Sequence, residues 1–150
     1  MADSQKQFIL QKIYVKDLSF ETPNAPQVFL EKWEPDVDLQ LGNKASTLDD
    51  NTHEVVLELT VTTKLKDKTA FLVEVQMAGI FNITGYDQSQ LALLTGSACP
   101  QVLFPYAREV VSDLVTRGGF PQLLLAPINF ETLYRQHLEQ EAAKAGENTH

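Results

Sequence analysis

Cys99–Phe130 reads CPQVLFPYAREVVSDLVTRGGFPQLLLAPINF, and what this stretch can and cannot form decides the fold. Its first half places Leu103, Ala107, Val110, Val111, Leu114 and Val115 at spacings of three and four, the period of a helix with one apolar face. Arg117 followed by Gly118-Gly119 marks its stop. The opening turns, with Val102, Leu103, Phe104, Tyr106 and Ala107, are apolar on almost every side, and a helix of that kind has to be covered all round. In a chain of 150 residues one sheet covers one flank, so a second copy of the chain is expected against the other, through Leu103, Phe104, Tyr106 and Val110. The second half carries Pro121 and Pro127, which exclude a continuous helix and fit poorly in a central strand. It is expected as an extended apolar connection lying over the body.

The body itself is written in alternation. Val55, Leu57, Leu59, Val61 and Leu65 take one face of a strand over His53–Leu65, with Glu54, Glu58, Thr60, Thr62 and Lys64 on the other. The short Lys66-Asp67-Lys68 connection makes a hairpin with Thr69–Ala78, where Phe71, Val73, Val75 and Met77 face inward and Leu72, Glu74 and Gln76 outward. Gly79 is expected to bulge or bend this strand before Ile80, Phe81 and Ile83. Upstream, Phe8–Glu21 alternates with Phe8, Leu10, Tyr14, Leu18 and Phe20 on one side, and Ile9, Ile13, Val15, Asp17, Ser19 and Glu21 on the other. Between lies a crossover loop over Thr22–Pro35 with prolines at 23, 26 and 35 around Val28, Phe29, Leu30 and Trp33. Alternation resumes at Val37, Leu39 and Leu41, and the polar stretch Gly42–Thr52 is expected as a mobile surface loop. Gln88–Thr95 forms a short helix, and Asn129 caps a last one bearing Phe130, Leu133, Tyr134, His137 and Leu138. The sum is an α+β chain: an antiparallel sheet with one apolar and one polar face, plus helices.

Residues 1–150 suit a single domain, with 1–7 and about 143–150 as frayed tails. A net charge of −8 disfavours nucleic acid and anionic membrane surfaces and leaves neutral, apolar or basic partners. No leader-like or membrane-spanning apolar run occurs, and the single Cys99 has no internal disulfide partner, so the expected location is cytoplasmic.

Enzyme chemistry finds little to stand on. There is no glycine-rich phosphate loop, no nucleophile elbow and no cysteine pair, and His53, His137 and His150 share no ligand spacing. No catalytic residue, metal or cofactor is expected. Cys99 before Pro100 at a helix start is either a small buried apolar residue or a thiol activated by the helix dipole. Asp17, Glu21, Glu58 and Glu74, with Leu72 among them, fall on the outward parity. They are either a solvated face or a docking face for a basic partner. Phe29 and Trp33 either pack on the core or line a groove against the segment 120–128 that accepts an extended apolar peptide.

Several ordered pieces carry a resemblance: Lys16-Asp17 with Ser19-Phe20-Glu21, PNAP at 23–26 flanked by Val28-Phe29 and Trp33, FLVEVQ at 71–76, Gly79-Ile80-Phe81, CPQVLFPYARE at 99–109 and RGGFPQLLLAPINF. From about Ile13 to about Leu138 the chain resembles the bacterial protein-export chaperone family SecB. The resemblance implies a four-stranded antiparallel sheet with helices packed on one face, assembled as a dimer of dimers. It implies a holdase that works without ATP, keeps precursors of exported proteins unfolded and delivers them to the translocation motor SecA. A variant of the family serving one dedicated partner, such as a toxin, is the alternative. By resemblance, SecA is received through its zinc-binding region at Asp17, Glu21, Leu72 and Glu74, the zinc being the partner's. A client groove is implied at Phe29, Trp33, Val37, Leu39, Leu41, Leu125, Tyr134 and Leu138.

Overall fold

The computed structural model describes residues 5–147. Four strands, β1 (Gln7–Glu21), β2 (Pro35–Asp49), β3 (Thr52–Leu65) and β4 (Lys68–Thr84), form one antiparallel sheet in the order β1-β4-β3-β2. Three helices follow, α1 (Gln88–Leu93), α2 (Cys99–Arg117) and α3 (Phe130–Glu147). The expected α+β class and the four-stranded sheet with helices are both present.

The central hairpin follows its alternation closely. Val55, Leu57, Leu59 and Val61 on β3, and Phe71, Val73, Val75 and Met77 on β4, are all buried on the helix side. Helix α2 lays Leu103, Phe104, Ala107, Val111 and Val115 onto them, every one of these buried. Leu103 and Phe104 are buried inside the subunit. Tyr106, 48% exposed, and the half-buried Val110 remain available.

Gly79 does not bulge β4, whose pairing with β3 runs unbroken through Val55 opposite Gly79. Its reason is space: a Cβ there would stand 2.9 Å from Leu103 Cδ2 and 2.7 Å from Phe81 Cε2. Only hydrogen lets α2 approach the sheet this closely. Gly79→Val is expected to destabilise the fold by about 1–3 kcal/mol through overpacking, read from urea denaturation midpoints.

Irregularity sits instead in β1, which shifts register between Leu10 and Lys12 and again between Val15 and Asp17. Each bulge inserts a residue and reverses the faces downstream. Between the two, Ile13 packs on the core and Tyr14 faces outward, opposite to the expected parity. After the second bulge the original parity returns.

The expected loop over 42–52 is mostly strand. β2 pairs with β3 without interruption from Pro35–Leu65 to Thr47–His53, and only Asp50-Asn51 turn. Its polar residues do not oppose this, because β2 is an edge strand, where charged side chains keep the free edge solvated. Thr22–Pro35 is a crossover with one 3-10 turn at Gln27–Leu30 that buries Val28. Between α1 and α2 the chain passes through a π-helical turn, Leu94–Ala98, just before Pro100, which has no N–H to give to the preceding turn. Residues 120–128 are extended without regular structure, as their prolines require. Asn129 caps α3, its Oδ1 accepting from the Thr132 N–H at 3.0 Å, and the helix continues to Glu147, through much of the expected C-terminal tail. The outermost residues of both expected tails, and His150, lie outside the described residues.

Candidate functional site

The two faces of the sheet offer different chemistry. On the side away from the helices the register sets out rows across all four strands. Glu21 opposes Leu72, Leu72 opposes Thr62 and Thr62 opposes Asp38; the next row is Ser19, Glu74, Thr60 and Gln40, and the next Asp17, Gln76, Glu58 and Gly42. Asp17, Glu21, Leu72 and Glu74 thus share one end of one face, the three carboxylates exposed and Leu72 half-buried. Among the described residues none of these three carboxylates is in an ion pair, whereas Glu58 binds Lys44 at 3.2 Å and Glu54 binds Lys16 at 2.8 Å. Unpaired carboxylates beside an apolar residue on a flat, rigid sheet suit a basic surface with an apolar contact at its centre.

Further along that face, Glu54 also accepts the Tyr14 hydroxyl. The Lys16 ammonium and this hydroxyl hold the Glu54 carboxyl below its usual range, while the bond to the carboxylate pushes Tyr14 up to about 12. For Glu54, lowered in the fold, the stabilisation is present above its unfolded value and lost as pH falls through the folded one. For Tyr14, raised in the fold, it is present below the unfolded value and lost as pH rises through about 12.

On the helix side, apolar surface remains open in three places. Beneath the crossover, Phe120 is the hub: the Phe29, Trp33 and Phe71 rings lie 5.1, 5.8 and 5.0 Å from it, centroid to centroid. Phe29 and Trp33 therefore both pack and present surface, at 48% and 36% exposure, and beside them Leu30 is 90% exposed. A second opening, a cavity of about 540 Å³, is lined by Leu41, Asn43, Ala45, Phe130, Leu133 and Tyr134 among others. At its wall Gly96, in the π-helical turn, has no side chain where the Tyr134 ring lies, which lets α3 seat against that turn. Gly96→Val is expected to displace α3 and raise protease susceptibility after Asn129, with little loss of global stability, because α3 packs chiefly on that turn.

The third opening is a trough of about 890 Å³ between β1 and α2, lined by Ile13, Val15, Met77, Tyr106, Val110 and Leu124 among others. It exists because α2 sits over β4 and β3, leaving Val15, Leu18 and Leu124 at 45%, 42% and 70% exposure.

The sequence-derived groove residues are thus divided. Leu41 and Tyr134 meet in the second opening, and Phe29 and Trp33 meet on Phe120. Val37 is exposed, Leu39 packs half-buried on the core, and Leu138 is exposed on α3. Leu125, at 8% exposure, belongs to the core. Asn43 and Ala45 line the second opening and were concealed by the loop assignment; they continue the parity of Leu39 and Leu41 through the strand.

Cys99 is fully buried, and desolvation raises its thiol to about 12. Alkylation in the native state at pH 8 is expected to run at least a hundredfold slower than for an exposed thiol and to become rapid in denaturant. Among the described residues no group of three or more His, Cys, Asp or Glu is placed to hold a metal ion, and no helix is long and apolar enough to cross a membrane.

A single sheet with carboxylates open on one face and uncovered apolar surface on the other defines a holding scaffold for apolar chain segments. Comparison with known proteins places that scaffold. Residues 1–141 match the family model described as preprotein translocase subunit SecB. The chain is 60% identical over 149 residues to the protein-export protein SecB of Nitrosococcus oceani, covering 97% of this chain and 91% of that one. It is 55% identical over 141 residues to that of Methylococcus capsulatus, covering 94% and 91%. In fold it is similar to a Mycobacterium tuberculosis SecB-like chaperone solved in complex with an antitoxin peptide, with TM-score 0.68, 17% identity and 81% and 90% of the two chains covered. The chain belongs to the SecB family and is a chaperone of protein export.

Proposed function

We propose that the chain is an ATP-independent cytoplasmic holdase that takes unfolded precursors on the helix side of its sheet and docks SecA on the other through Asp17, Glu21, Leu72 and Glu74. The observation that carries this reading is the division of labour across the sheet: unpaired carboxylates on one face and open apolar surface on the other. Client segments would settle against Phe29 and Trp33 and in the opening lined by Leu41 and Tyr134. Burying one aromatic ring removes about 150–250 Å² from water, contributing at most about 4–6 kcal/mol before ordering costs. One site therefore holds a chain weakly. Several sites on one assembly raise avidity without slow release at any of them. No catalytic residue takes part in this reading.

The trough supports assembly. Tyr106, Val110, Val15 and Leu124 present apolar surface there beside Arg108, Glu109 and Asp113, and a second copy seated in the trough would cover it. We take the assembly to be a dimer of dimers. Sedimentation with and without an unfolded precursor tests both parts. A tetramer that gains mass with precursor is expected; a monomer that binds none would overturn the reading. Capture of one stoichiometric partner in place of many precursors would redirect it to a dedicated chaperone.

A further inference from the structure

Asp17 and Glu21 face outward only because β1 changes register beside them. Tyr14 opposes Ala78 on the outward face, and Val15 opposes Met77 on the helix side. Strict alternation from there would send Asp17, Ser19 and Glu21 to the apolar side and turn Leu18 and Phe20 out into water. The residue inserted at Lys16 reverses this: Asp17 comes to oppose Gln76, and Glu21 to oppose Leu72, both outward. One bulge thus sets the polarity of everything after it.

β1 is an edge strand, paired on one side alone, so only β4 holds its backbone register. Phe20, stacked on Phe71 at 6.1 Å, steadies the far end. At the bulge itself the only side-chain tethers among the described residues go to Glu54, on β3. Its Oε2 accepts the Tyr14 hydroxyl and its Oε1 accepts Lys16 Nζ at 2.8 Å. These bonds reach from β1 over the whole width of β4, past Ala78, a small residue fully buried although it lies on the polar face. Glu54 is well covered, its side chain 15% exposed against 46% for Lys16. One carboxylate therefore grips the inserted Lys16 and Tyr14, two residues ahead of it.

We propose that Glu54 is a positioning residue for the docking face: through Tyr14 and Lys16 it holds the register shift that presents Asp17 and Glu21. The proposal rests on the docking reading above, and its test separates the two. In the full-length chain, Glu54→Leu is expected to weaken binding of purified SecA about tenfold and to speed amide exchange across residues 16–21 about tenfold, leaving precursor holding unchanged. Glu54→Gln, which can still accept from Tyr14, is expected to lose less of both. Should Glu54→Leu fail to fold, the Tyr14→Phe/Lys16→Met double variant removes the same two tethers and carries the same expectation. SecA affinity unchanged by Glu54→Leu while Glu74→Lys weakens it overturns the positioning role. Unchanged exchange across residues 16–21 overturns it whatever SecA does. Normal SecA binding by Glu74→Lys instead removes the docking reading, and the positioning role with it.

Discussion

Phe120→Ala is expected to cost about 3–5 kcal/mol of folding stability, as removal of a buried aromatic hub does. The ring is 6% exposed and meets three other aromatic rings within 5.8 Å. Two of its partners, Phe29 and Trp33, come from the crossover, and the third, Phe71, from β4, so the loss falls on the joint between loop and sheet. Gly119, with φ of +91°, makes the turn that delivers Phe120 to this place. Because the chain has a single tryptophan, Trp33, its emission reports the joint directly. A red shift in native buffer is expected together with the lowered urea midpoint. A loss under about 1 kcal/mol would mean that the crossover is held by something other than this cluster. Precursor holding should weaken in the same variant, since Phe29 and Trp33 lose the surface that orients them.

Glu74→Lys is expected to weaken SecA binding by about 2 kcal/mol or more, roughly thirtyfold, since it replaces a favourable charge contact by a repulsive one. Stability should hardly change, because Glu74 is exposed and among the described residues has no ion pair to lose. Precursor holding should be retained, because the side chain lies on the face opposite the apolar openings. The contrast is measured by titrating SecA and by light scattering of an aggregating precursor on the same preparation. Loss of both activities together contradicts the separation of faces; loss of neither removes the docking assignment. Higher salt should weaken wild-type docking and leave holding nearly unaffected.

The central hairpin was legible because β3 and β4 are neighboured on both edges and buried on one face, so periodicity alone fixes their side chains. Helix α2 and the proline-bounded connection after it were legible for similar reasons: burial on one flank, and two rings that forbid a helix. The edges were not. β1 carries two bulges, and alternation has no way to register an inserted residue whose partner strand is unknown. Asp17 and Glu21 were nonetheless placed on the correct face because the two reversals cancel, which is agreement by parity and not by insight into the strand. Polar composition alone points to a loop after Leu41, but an edge strand tolerates Gly42, Asn43 and Lys44, and Gly42 leaves room for the Glu58 side chain. Asn43 and Ala45 reach the second opening only through this continuation of the strand. In the first turns of α2 Leu103 and Phe104 are satisfied internally, and Tyr106, with Leu124 beyond the helix, stays exposed.

The sheet is a single layer of backbone, and the function proposed above loads its two sides separately. A cargo on one side and a motor on the other have no reason to exclude one another, so a ternary complex should form with affinities close to those of the two binary ones. Transfer then needs no prior dissociation: the motor can be in place before the cargo leaves. Any departure from that additivity would report coupling between the two faces, with bending of the strands the most direct route.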